Sequence, residues 1–354
     1  MRSVQLRARR MRGMTLVELM VGMTLGLFLV AGIGSVFVAT GDAGRTTENL
    51  SRLQETARTA FSMMSRDIRE AGLNDCGRVD KVMNVLGTAA TPPPAWAAWN
   101  EGIRGFDAGQ DAGNPVSGTG VGQRVATEDA LQLMKGSSLG VSIVQTVVGA
   151  GATTPAALWV TDTSQFQPGD IAIACDATLA TIFQITNTNP AGGNLQVVHN
   201  TGSSVSPGNC TKGLGFSANP RDCSTNGVSY SFKPNSRVLR FESIAWYVGN
   251  NGRAATGGTS LFRMRIGNTA GAAAPVGDEL LEGVSGLEID YLVDGATQYV
   301  DATTVTAAND WGDVIAVRIH LSLTSTALEA NASGGAERMQ REFFHVVTLR
   351  NRVS

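Results

Sequence analysis

The residues with the most chemical potential stand at the start of the chain. Five arginines (Arg2, Arg7, Arg9, Arg10 and Arg12) precede Gly13 and Met14, Glu18 follows, and Leu19 to Thr40 then runs for twenty-two residues without a charge. A carboxylate just inside an apolar segment is unfavourable, by about 2.5 to 3.5 kcal/mol at a helix centre and less near the interface. Glu18 therefore calls for a cationic partner.

Elsewhere the usual catalytic sets are missing. The three histidines, His199, His320 and His345, form no H-x-x-x-H pattern and read as satisfied strand residues. There is no G-x-S-x-G elbow and no phosphate-binding G-x-x-x-x-G-K-[ST] loop. Asp290, Asp294, Asp301, Asp310 and Asp313 lack the regular spacing of a calcium loop and read as turn residues and solvated faces. Trp96 and Trp99 read as a satellite core under the run Pro92-Pro93-Pro94 rather than as a sugar or protein contact. No catalytic residue, cofactor or metal is assigned, and an enzyme is the least supported class.

The elements that must position Glu18 follow from periodicity. At about 1.5 Å per residue the uncharged run makes a helix of roughly 33 Å, enough for a hydrocarbon core of about 30 Å. The arginines before it keep that end cytoplasmic and send the rest across. An ordinary signal peptide has a shorter apolar region and a small-residue cleavage site after it, and neither is present. Beyond the run, Leu50, Leu53, Ala57, Ala60, Phe61, Met64, Ile68 and Ala71 recur at three- and four-residue spacing, with Arg52, Glu55, Arg58, Arg66, Asp67 and Arg69 at the other positions. The pattern predicts one helix from Met14 to Ala71, with Gly32, Gly34, Gly41 or Gly44 as points where it could loosen and Gly72 as its stop.

After Gly72 the texture becomes β-rich. Strands are predicted at 141–148, 157–161, 170–175, 181–186, 195–199, 237–248, 260–266, 286–293, 313–324 and 341–349. Residues 88–127, rich in Pro, Gly, Ala and Asp, read as an ordered surface loop or a flexible excursion. The 354 residues are 43% hydrophobic and 16% charged, enough for a large core. Loss of the five leading arginines would leave 23 basic residues against 30 acidic ones, a formal −7 that disfavours general nucleic-acid binding. Cys76, Cys175, Cys210 and Cys223 form an even set in a chain expected to reach an oxidising compartment, so disulfides are favoured over a metal site. Of three connectivities we favour Cys210 with Cys223, closing a short loop, and Cys76 with Cys175, tying the helix exit to the sheet. The other two stay open.

Arg12-Gly13-Met14-Thr15-Leu16-Val17-Glu18-Leu19-Met20 resembles the type IV prepilin motif. The resemblance implies cleavage after Gly13 by the prepilin peptidase, N-methylation of Met14, and docking of a neighbouring subunit's N-terminal amine on Glu18, the fifth mature residue. Met14 departs from the family's usual phenylalanine. In the second half, Ala245-Trp246-Tyr247-Val248, Leu261-Phe262-Arg263, Glu279 to Val284, Leu287 to Tyr291, Trp311 to Arg318 and Arg341 to Arg352 look like PilW-type minor pilins. That family implies an α+β pilin-like fold, a long N-terminal helix packed on an antiparallel β-sheet with additional strands and long loops. The expected organisation is a leader over 1–13, a helix over 14–72 with its transmembrane part at 19–40, and an exported domain over 73–354. The implied role is to join other minor pilins and the major pilin in the inner membrane, prime pilus assembly and end near the filament tip. The alternatives are a J-type pseudopilin of a type II secretion system and a tip adhesin.

Overall fold

The structure is a computed structural model that describes residues 13–350 and 352, apart from 74, 78, 80, 148–155, 190–194, 203, 218–220 and 331–334. The leading arginines and Val148, the predicted end of one strand, lie outside the described residues.

A single helix, α1, runs from Leu16 to Arg69. The strands are β1 (Val82–Asn84), β2 (Ile103–Phe106), β3 (Ala130–Val147), β4 (Ala157–Val160), β5 (Ile171–Cys175), β6 (Ala180–Gln184), β7 (Asn187–Asn189) and β8 (Gln196–Val198). They continue with β9 (Arg237–Asn250), β10 (Thr259–Thr269), β11 (Ala272–Glu282), β12 (Val284–Val293), β13 (Val314–Ala330) and β14 (Ala336–Thr348). A short helix, α2 (Ala302–Ala308), sits between β12 and β13. The architecture is α+β.

The chain forms two compact units. The first holds the chain up to Arg52 with Ala327–Met339, and the second holds Leu53–Thr326 with Gln340–Ser354. In the first, α1 shows its apolar residues outward, with every large one from Met14 to Val38 exposed, and Asn49 donates to Glu329 at 2.6 Å. In the second, Leu53, Ala57, Ala60, Met64 and Ile68 are buried along one face of α1. Burying each of the larger ones contributes about 1.5 to 3 kcal/mol.

Eleven of the described strands join one sheet, ordered β1-β6-β5-β9-β3-β4-β8-β7, with β10 and β11 beyond β9 and β2 on β3. A second sheet is ordered β12-β13-β14. The described ladders are antiparallel except β1 with β6. One core cluster includes Met134, Ile173, Ile182, Leu239 and Phe241, and a larger one Val85, Leu158, Phe183 and Val238.

Each predicted strand has a counterpart, with shifted ends. The largest shift is at β3, which begins at Ala130 rather than Val141 because its first half, Ala130 to Ser137, pairs with β9 before the register shifts. β11 has no counterpart among the predicted strands. Its sequence AAAPVGDELLE lacks β-propensity, and it forms through pairing with β10 at a sheet edge, where Pro275 is tolerated. α2 was likewise unannounced; Asp301 caps it, its carboxylate accepting from the Thr304 N–H at 2.8 Å.

Two expectations are corrected. Trp96 is not in an isolated core under the proline run, because it is buried in one cluster with Leu86, with Met134 of β3 and with Ile182 of β6. Asp67 does not lie on the solvated face of α1 but is buried against the sheet. Gly72 acts as the stop: at φ +71° it leaves the helix and donates to the Met134 carbonyl at 2.8 Å. A Cβ on Gly102 would stand 2.2 Å from the Gly72 Cα, so both positions require glycine.

Candidate functional site

The N-terminal site begins at Thr15. Its hydroxyl accepts from the Glu18 N–H at 3.2 Å and its carbonyl from the Leu19 N–H at 3.1 Å, so Thr15 is the N-cap of α1. The Thr-x-x-Glu spacing is a capping-box signature that sequence reasoning passed over. Capping starts the helix immediately after Met14, and Glu18 falls in its first turn, where the helix dipole favours a negative charge. Among the described residues no side chain pairs with the Glu18 carboxylate. Met14 is 68% exposed and Leu16 74%, so the segment presents a charged first turn followed by an unoccupied apolar surface.

At the other end of α1 a polar latch ties the helix to the sheet. The Asp67 carboxylate accepts from Trp246 Nε1 at 3.0 Å and from Arg263 Nε and Nη2 at 2.8 and 3.2 Å. Trp246 is fully buried on β9, and its ring lies under the Arg263 guanidinium, 5.9 Å away. Lys135 pairs with Glu70 and, at 3.4 Å, with Glu242. Sequence reasoning singled out Trp246 and Arg263 without their partner on the helix. The available signal was Asp67 itself, next to Ile68 and three residues from Met64.

A second joint fixes the segment before β3. Arg124 is fully buried and donates to the carbonyls of Gln110, Asp107 and Glu128 at 2.8, 3.0 and 2.6 Å. Asp129 accepts from the N–H groups of Ala108 and Ile289 at 3.0 and 2.8 Å, and Asp107 from those of Ala302 and Thr303 at 3.0 and 2.8 Å. Burial, with repulsion from Asp107 adding to it, raises the Asp129 pKa to about 6 against the pull of its hydrogen bonds. Residues 88–127 are therefore ordered rather than a flexible excursion.

Both disulfides are formed, Cys76 to Cys175 across a separation of 99 residues and Cys210 to Cys223 across 13. The histidines are dispersed. His320 faces Glu288 at 3.2 Å and stacks on Phe344, and His345 stacks on Phe61. His199 is fully buried beside Phe183, and burial lowers its pKa to about 4 against the opposing pull of backbone hydrogen bonds, that of Lys212 among them. Of the acidic stretch, Asp301 caps α2 and Asp290 pairs with Arg318 at 2.7 Å. Among the described residues no group of three or more His, Cys, Asp or Glu is placed to hold a metal ion.

A capped apolar helix with a lone carboxylate in its first turn, followed by an amphipathic stretch latched to an antiparallel sheet, is the arrangement that the resemblance to type IV pilins implies. Residues 8–34 match the family model of the prokaryotic N-terminal methylation motif. Residues 245–351 match that of the type IV pilus-assembly protein W, and the two matches together are those of a PilW-type minor pilin. No curated protein and no solved structure matches the chain. α1 is long and apolar enough to cross a membrane, which with the motif fits a single-pass inner-membrane protein. The matched families point to a structural rather than a catalytic role.

Proposed function

We propose that the chain is a minor pilin that joins a complex of minor pilins in the inner membrane, primes type IV pilus assembly and stays near the filament tip. One observation carries this reading: the Glu18 carboxylate stands in the first turn of an exposed apolar helix with no partner among the described residues of its own chain. A neighbouring subunit's N-terminal amine would supply that partner, and pairing in low dielectric fixes the register in which subunits enter. In this reading residues 1–13 are a leader removed by the prepilin peptidase after Gly13, Met14 is N-methylated, residues 19–40 span the inner membrane, and residues 73–354 form a periplasmic domain that reaches the cell surface with the filament. The major pilin and other minor pilins are its partners, through α1.

The test is N-terminal analysis of the assembled protein beside a Glu18→Ala variant. We expect a methylated Met14 as first residue, with the variant cleaved as efficiently as the parent but depleted from filaments at least tenfold. An assembled protein that still begins at Met1, or a variant that assembles normally, would overturn the proposal.

A further inference from the structure

The amphipathic half of α1 carries a polar stripe that its own sheet does not use. Gln54, Arg58, Ser62, Ser65 and Arg69 follow at intervals of four, four, three and four residues, the spacing of one helix face. The stripe lines an open groove of about 590 Å³, closed on its far side by Phe343 and His345 of β14 and floored by Ala57 and Phe61. Arg58 and Arg69 are exposed and make no ion pair among the described residues, and they stand about 16 Å apart along the helix.

Ser65 gives the groove its direction. It is only 5% exposed, yet its hydroxyl has no hydrogen-bond partner among the described residues. A buried hydroxyl left unpaired is unfavourable by about 1 to 3 kcal/mol, and a serine in mid-helix can usually return to the carbonyl one turn back. Here it lines the groove between two unpaired guanidinium groups. A hydroxyl donor flanked by two forked cations is a set of groups for carboxylates.

We infer that this groove is the docking site for an acidic helix of a different pilin, whose carboxylates lie opposite Arg58, Ser65 and Arg69. Two observations select that occupant. The groove's length, more than three helical turns, suits an elongated partner rather than a free anion. A second copy of this chain is a poor occupant, because it presents the same two arginines and, on this half of α1, Glu55 is the one acidic residue without an ion pair among the described residues, Asp67 pairing with Arg263 and Glu70 with Lys135. Like charges would then meet across the contact. The surface rests on the reading of this chain as a pilin, but its test is separate from N-terminal processing.

The experiment uses the full chain in neutral-lipid nanodiscs and two labelled helical peptides, one with glutamates at positions i, i+4, i+7 and i+11 and one with glutamines there, followed by fluorescence anisotropy at low salt. The glutamate peptide is expected to bind at least tenfold more tightly than the glutamine peptide, a comparison that leaves the chain unaltered. An Arg58→Gln/Arg69→Gln variant should weaken binding at least tenfold and Ser65→Ala about threefold, while Arg52→Gln, on another face, leaves it unchanged. Equal binding of the two peptides, equal binding by the double variant, or displacement of the peptide by phosphatidylglycerol vesicles or inorganic phosphate at millimolar concentration would overturn the inference.

Discussion

Asp67 is where the helix and the sheet depend on each other most directly, and its removal makes a quantitative test. The carboxylate side chain is 7% exposed and that of Arg263 is 28% exposed, while Trp246 is fully buried. Asp67→Ala strips acceptors from two hydrogen bonds of Arg263 and one of the indole N–H. Breaking a buried pair costs about 3 to 5 kcal/mol when the surviving charge stays buried. Arg263 recovers some hydration, so the expected loss is about 3 kcal/mol. Asp67→Asn keeps one acceptor for Trp246 or Arg263 and should lose about half as much. Arg263→Ala leaves the more deeply buried partner unpaired and should match Asp67→Ala. The double variant should fall short of the sum of the singles by at least 1 kcal/mol, because each single removes the same interaction. Urea denaturation of the full chain in detergent, followed by tryptophan fluorescence, reads this directly. Singles within 0.5 kcal/mol of the parent, or strictly additive losses, would refute the latch.

The bridges should differ in weight: in the chain-entropy model Cys76→Ser/Cys175→Ser, opening a loop with a separation of 99 residues, loses about 4 to 5 kcal/mol, whereas Cys210→Ser/Cys223→Ser, with a separation of 13, loses about 3, and the order of melting temperatures checks it. Gly102→Ala would place a methyl group 2.2 Å from the Gly72 Cα at φ +83° and should cost at least about 2 kcal/mol in the same denaturation assay. Two buried groups pull the acid response in opposite directions. His199, with its pKa lowered to about 4, binds a proton less readily folded than unfolded, so its contribution is lost as pH falls from about 6.5 through 4, by about 3 kcal/mol, and His199→Phe should flatten that loss. Asp129, raised to about 6, binds a proton more readily folded, so stability is gained as pH falls from about 7 toward 4. After allowance for solvent screening the gain is about 2 kcal/mol, and Asp129→Asn should remove it, making acid destabilisation steeper.

Much of the helix was legible because its signals are local. Of the residues chosen by spacing alone, Leu53, Ala57, Ala60, Met64 and Ile68 are buried on α1 and Leu50 and Phe61 half-buried, and Gly72 has the positive φ that a helix stop requires. The strands with runs of Val, Ile and Phe were legible for the same reason. β11 was not, because an Ala- and Pro-containing segment has no strand preference of its own and acquires its conformation from β10. For residues 88–127 composition left an ordered loop and a flexible excursion both open. Their order comes from Arg124, whose guanidinium collects carbonyls from positions up to eighteen residues away, and no window of neighbouring residues reports such a contact.

Asp67 shows why polar contacts between distant elements resist sequence reading. Between apolar neighbours on an amphipathic helix an aspartate reads as solvated, because burying a lone carboxylate is prohibitive. The inference fails once the sheet supplies both a guanidinium and an indole N–H, 196 and 179 residues further on. Ser65 is the converse case: buried like Asp67 and on the same helix, it finds no donor or acceptor among the described residues. The fold satisfies the one and leaves the other open. That contrast separates the part of the polar pattern that holds α1 to its own sheet from the part that faces the groove and awaits another subunit.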